Sequence, residues 1–209
     1  MPGLAAYNAS IKKSGTSTSF TDEAMTDLGS NIYQITDANK QVFDRVGTFT
    51  FYDNGVEIAA SGIDSINYLY GKVVFSAPTT GPITVDGDYV PLSEVAGARE
   101  FSLNRTCAVL DDTDTSNTGE HTKKYGLQDV SITLSRFDDL SYDFPTLIEN
   151  RTPLVIEVAP DTNKSYRGWF IVTTSGLNLD VNSLLDEAIS FELDGDDTVG
   201  KTFARSDAW

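Results

Sequence analysis

Three segments of this chain alternate polar and apolar side chains with a period of two, and nothing else in the sequence constrains the fold so tightly. In Arg99 to Val109, Phe101, Leu103, Cys107 and Val109 share one face, interrupted by Arg105, and Glu100, Ser102, Asn104 and Thr106 share the other. In Leu127 to Arg136, Val130, Ile132 and Leu134 oppose Asp129, Ser131, Thr133 and Ser135. In Leu185 to Asp194, Ile189, Phe191 and Leu193 oppose Asp186, Ser190, Glu192 and Asp194. Such alternation builds antiparallel sheet with one buried face and one wet face. Over these spans the wet faces carry carboxylates, hydroxyls and amides but no Lys or Arg.

The rest of the chain is also strand-like, with Gly, Asn, Asp and Pro between short runs. Strands are expected at Tyr7 to Lys13, Thr16 to Phe20, Ile32 to Thr36, Leu154 to Ala159 and Tyr166 to Thr174, with a helical turn at Asp22 to Leu28. Asp53-Asn54-Gly55 predicts a hairpin between Thr48 to Tyr52 and Val56 to Ala59, because Asn-Gly favours the positive φ pair of a type I′ turn. Ile63 to Tyr70 and Lys72 to Phe75 are expected to pair about Gly71, and Ile83 to Val85 with Tyr89 to Leu92 about Asp86-Gly87-Asp88. One helix is expected near Asp143 to Asn150, where Ser141 or Asp143 caps and Phe144, Leu147 and Ile148 form an apolar stripe. The fold class is therefore mainly β: an antiparallel β-sandwich or half-barrel with one short covering helix and extra N-terminal hairpins. Residues 1–209 are read as one domain, with 37–92 as a peripheral hairpin insertion.

Charge narrows the function. Fifteen basic residues against 31 acidic ones give a net charge of −16, which disfavours a nucleic-acid or anionic-membrane binder. The start of the sequence shows no charged segment leading into an apolar one, and no apolar run is long enough to span a bilayer, so a soluble cytoplasmic protein is expected. The single cysteine, Cys107, rules out an internal disulfide; its place among core residues predicts a small buried side chain.

Catalytic and metal-binding groupings are not assembled by the sequence. The one histidine, His121, lies in the polar, aperiodic stretch Leu110 to Gly126, a poor holder for a catalytic base. One Cys and one His do not make a zinc site. Asp112, Asp114 and Ser116 begin like a calcium loop, but Asn117 stands where glycine is needed and Lys123 where glutamate is needed. No phosphate-cradling glycine motif is present, and no cofactor is expected.

Asn31-Ile32-Tyr33-Gln34-Ile35-Thr36-Asp37 followed by Val42-Phe43-Asp44, the segment Ile66 to Phe75, and Gly126 to Arg136 resemble segments of the tail tube (major tail) proteins of tailed phages and phage-like particles. Leu147 to Val158, Tyr166 to Val172 and the closing Ile189 to Gly195 then follow in that family's order. The resemblance implies a non-enzymatic virion protein, assembled in the host cytoplasm into stacked hexameric rings that form the tube through which DNA passes. It also implies tape measure, tail terminator and distal tail proteins as partners. On this reading Glu100, Asp129, Asp186, Glu192 and Asp194 are candidate lumen residues, and Asp111, Asp112, Asp114, Glu120, His121, Lys123 and Lys124 belong to a candidate inter-ring loop. The alternatives are another tail or baseplate protein, a type VI-like tube protein, or a carbohydrate-binding β-sandwich. The sandwich reading is weakened because Trp169 lies within a strand and Trp209 is terminal.

Overall fold

The period-two pattern is realised as antiparallel sheet. The computed structural model of the chain describes residues 9–111, 123–137, 144–161, 164–178, 185–195 and 202–206. In chain order the first strands are β1 (Ser10–Ser14), β2 (Thr18–Gly29), β3 (Ile32–Ile35), β4 (Thr50–Asp53), β5 (Val56–Glu57), β6 (Ile63–Asn67), β7 (Lys72–Phe75), β8 (Ile83–Tyr89) and β9 (Leu92–Glu94). There follow β10 (Ala98–Asp111), β11 (Lys123–Phe137), helix α1 (Phe144–Asn150), β12 (Leu154–Asp161), β13 (Lys164–Asn178), β14 (Asp186–Leu193) and β15 (Phe203–Arg205). The expected class is met: mainly β, with curled antiparallel sheets of half-barrel type and one short helix among the described residues.

The chain divides into two compact units. The first comprises Met1–Val95, Leu154–Trp169 and Asp194–Trp209, and so contains residues 37–92; the second comprises Ala96–Pro153 and Phe170–Leu193.

In the first unit the strand order β5-β4-β8-β2-β3-β7-β6 forms one sheet. Its core is aromatic, with Phe20, Phe43, Phe51 and Phe75 buried beside Met25, Ile35, Val73 and Ile83. The Asn54-Gly55 hairpin forms as expected, with both residues at positive φ (51° and 78°) joining β4 to β5. The β6–β7 pair also forms; Gly71 turns at φ 56° where a Cβ would lie 2.9 Å from the Gln41 carbonyl oxygen.

Two local expectations are overturned here. Residues 22–28 are not helical but belong to β2, which pairs with β3 on one side and β8 on the other and sends Phe20 and Met25 inward. Pairing at both edges satisfies more backbone groups than one isolated turn of helix would. Likewise Asp86-Gly87-Asp88 is no turn: β8 runs straight through it. Gly87 is needed for space, because a Cβ there would sit 2.3 Å from Phe49 Cδ1. The flanking carboxylates are tied down, Asp86 accepting from the Asp22 amide and the Tyr52 hydroxyl, and Asp88 from Ser19.

The same unit holds β12, whose residues Leu154 to Val158 are all buried, as in a strand covered on both faces. Glu157 is the one acid among them. It is held by Arg167 Nε at 2.6 Å and Lys12 Nζ at 3.1 Å, and Arg167 also donates to the Leu69 carbonyl at 2.9 Å.

In the second unit the order is β10-β11-β14-β13, the last contributing Phe170–Asn178. Val130, Ile132, Leu134, Ile189 and Phe191 are buried on one face, and Phe144 of α1 meets Phe191 edge-on at 5.7 Å. The expected apolar stripe of α1 is narrower than the sequence suggests. Phe144 is buried, Leu147 only half-buried and Ile148 exposed, because a helix of seven residues presents little more than its first turn to the sheet. Phe101 and Leu103 are half-buried, since β10 is an edge strand with a neighbour on one side only. For the same reason Cys107 is half-buried rather than part of the core.

Candidate assembly surface and polar face

The polar side of the second unit is built by register. Glu100 stands opposite Ser135, Ser102 opposite Thr133, Asn104 opposite Ser131 and Thr106 opposite Asp129. The next strand continues these rows: Ser131 faces Glu192, Thr133 faces Ser190 and Ser135 faces Ala188. Ser102 and Thr133 share a hydroxyl hydrogen bond of 2.7 Å across one row. The result is a face of small neutral groups set with carboxylates, of which Glu100, Asp129 and Glu192 are exposed.

The other two candidate acids are placed differently. Asp186 lies at one end of this face, opposite Phe137, and accepts from Arg99 Nη1 at 3.1 Å. Asp194 lies past the end of β14, in the first unit, where Arg45 Nη2 contacts its Oδ2 at 2.6 Å and the Arg45 guanidinium stacks 4.8 Å from the Trp169 ring.

The expected loop Leu110 to Gly126 is shorter than the sequence suggests. β10 extends to Asp111 and β11 begins at Lys123, with Asp111 paired to Lys123 and Leu110 to Lys124. Asp112, Asp114, Glu120 and His121 lie outside the described residues. Because β14 accompanies β11 only from Ser131 onward, the distal half of the β10–β11 hairpin is a two-stranded ribbon among the described residues. Its side chains include Val109, Leu110, Tyr125 and Leu127, the last two 88% and 87% exposed. A two-stranded ribbon is marginal in water, and exposed apolar side chains on it make it a candidate contact surface.

No protein-family model matches the chain, and no curated protein does. Among solved structures, half of the chain resembles in fold a chain of the virion of a native gene transfer agent particle, with 16% identity, 85% of that chain covered and a TM-score of 0.43. It likewise resembles a chain from the tail of an empty gene transfer agent particle with C6 symmetry, with 16% identity, 50% of this chain and 83% of that one covered, and a TM-score of 0.44.

Two features of the second unit escape a reading by alternation. One is a cation on the polar face. Counting by twos from Phe101 assigns Arg99 to the apolar side, but a register shift between Ala98 and Glu100 turns it over. Its guanidinium lies 4.4 Å from the centre of the Phe137 ring, on the polar side beside Asp186. The other is the ion pair Arg136–Glu187, buried on the apolar side. Nothing in the spacing distinguishes Arg136 from a strand-end residue facing water. Among the described residues, no three His, Cys, Asp or Glu side chains converge as metal ligands.

Proposed function

We propose that this chain is a tail tube subunit of a phage-like particle: a structural, non-enzymatic virion protein that assembles into stacked rings. The observation that carries the reading is the second unit's sheet. One face is covered by α1 and apolar side chains, the other is exposed and acidic, and the edge strand β10 is open for pairing. β10 is an edge strand, with only β11 beside it in the single chain. In a head-to-tail ring a neighbouring subunit pairs along β10 and covers that edge.

In such a ring the acidic face lines the bore, with Glu100, Asp129 and Glu192 projecting into it. A surface poor in cations lets DNA pass without sticking, because each basic contact to phosphate adds affinity. The ribbon, with Asp111, Lys123 and Lys124 toward its tip, reaches the neighbouring ring. Residues 37–92 supply hairpins peripheral to the bore. Tape measure, terminator and distal tail proteins complete the assembly, which forms in the host cytoplasm.

Electron microscopy of the purified chain tests this. Rings or tubes of uniform bore are expected, and a Tyr125→Ser, Leu127→Ser variant should give rings that do not stack. A wild-type protein that stays monomeric at high concentration overturns the reading.

A further inference from the structure

The Arg99–Asp186 pair has no counterpart in the alternating pattern, and its geometry invites a functional reading. Arg99 begins on β10, crosses over Phe137 of β11 and ends at Asp186 of β14, with Nη1 at 3.1 Å from Oδ1 and 3.4 Å from Oδ2. The Arg99 side chain is 50% exposed, so this is a wet ion pair that contributes little to stability. It is nevertheless a cation beside rows of carboxylates, hydroxyls and neutral groups, with Ile171 opposite Glu192. Over the registered part of that face the remaining arginines, Arg105 and Arg136, belong to the opposite side by alternation. A guanidinium offers a planar fork of donors that fits phosphate as well as carboxylate.

We propose that Asp186 masks Arg99 against polyanions, neutralising its charge and engaging Nη1, so that the guanidinium does not act as a phosphate-binding point on the polar face. The inference rests on the channel reading above and deepens it. A carboxylate fixed on the same sheet competes at a high effective concentration with any phosphate passing by. Stacking on Phe137 keeps the guanidinium over the face whether or not Asp186 is charged, so removing that charge exposes the cation and does not release it into solvent. Repetition around a ring multiplies the effect: one unmasked arginine per subunit becomes a collar of phosphate contacts.

The test compares Asp186→Asn, Arg99→Gln and the double variant with the wild type, using a short DNA duplex as probe in low salt. Binding is read by anisotropy on the soluble chain and by co-sedimentation on assemblies. Wild type and Arg99→Gln should not retain DNA. Asp186→Asn should retain it, should release it as salt rises, and should return to wild-type behaviour when Arg99→Gln is added. No gain in Asp186→Asn, or a double variant that binds as well as the single, overturns the proposal. If the pair is only a clamp across three strands, all three variants lower the melting temperature and none binds DNA. Tubes that form normally while Asp186→Asn ignores DNA would defeat the masking alone. Failure of the wild type to form tubes would defeat the channel reading and leave the soluble-chain result legible.

Discussion

Arg136 and Glu187 face each other across β11 and β14 and are buried together, Nε donating to Oε2 at 2.7 Å. Ser175 donates to the other carboxylate oxygen at 2.6 Å, and the guanidinium lies 5.0 Å from the Phe144 ring centre. Breaking such a pair from one side leaves an uncompensated buried charge. Glu187→Leu should therefore cost about 3–5 kcal/mol, whereas replacing both partners with apolar residues of similar volume should cost far less or nothing. Chemical denaturation of the two variants checks this.

Phe191 is fully buried and meets Phe144 edge-on. Phe191→Ala should lower stability by about 3–5 kcal/mol, the range for a buried aromatic leaving a cavity. A change below about 1 kcal/mol in the denaturation midpoint analysis would place that face outside the core.

Glu157 gives the first unit an acid-sensitive contact. Burial by itself would raise its carboxyl, but Arg167 and Lys12 outweigh burial and hold the pKa below the ordinary value of 4.5. A carboxyl that binds its proton less readily when folded stabilises the fold above its unfolded pKa and loses that contribution as pH falls through the folded one. Glu157→Gln should therefore cost most near neutral pH, and the gap to wild type should close in acid. Melting curves from neutral pH down to about pH 3 measure it.

Gly87 is required by packing. The Phe49 ring that a Cβ would strike is stacked on Phe43 at 4.5 Å between centroids, so displacing it breaks that contact. Gly87→Ala should destabilise the protein by about 1–3 kcal/mol, as overpacking does.

If the acidic face lines the bore, Asp129→Lys with Glu192→Lys should permit assembly and slow DNA passage. The slowing should shrink as salt rises, because added ions screen the new attraction. Ejection rates at two salt concentrations decide it; a double variant that releases DNA at the normal rate in low salt sinks the idea.

The sequence by itself determined the features that depend on neighbours along the chain. Alternation in β10, β11 and β14 fixes which side chains can share a face, so the buried set Val130, Ile132, Leu134, Ile189 and Phe191 was legible, as was the Asn54-Gly55 hairpin. Helix α1 was legible from the apolar spacing of Phe144 and Leu147. What only the tertiary structure decided were matters of pairing and of distance between segments far apart in sequence. Residues 22–28 extend because β3 and β8 pair with them, and Gly87 sits within a strand because Phe49 needs its space. Arg99 reaches the polar face because a single register shift reverses the parity that alternation assumes. Arg136 and Glu187 are buried because the register sets them opposite each other beneath Phe144. Local periodicity cannot carry that information, because a strand's pattern is the same whichever partner lies beside it.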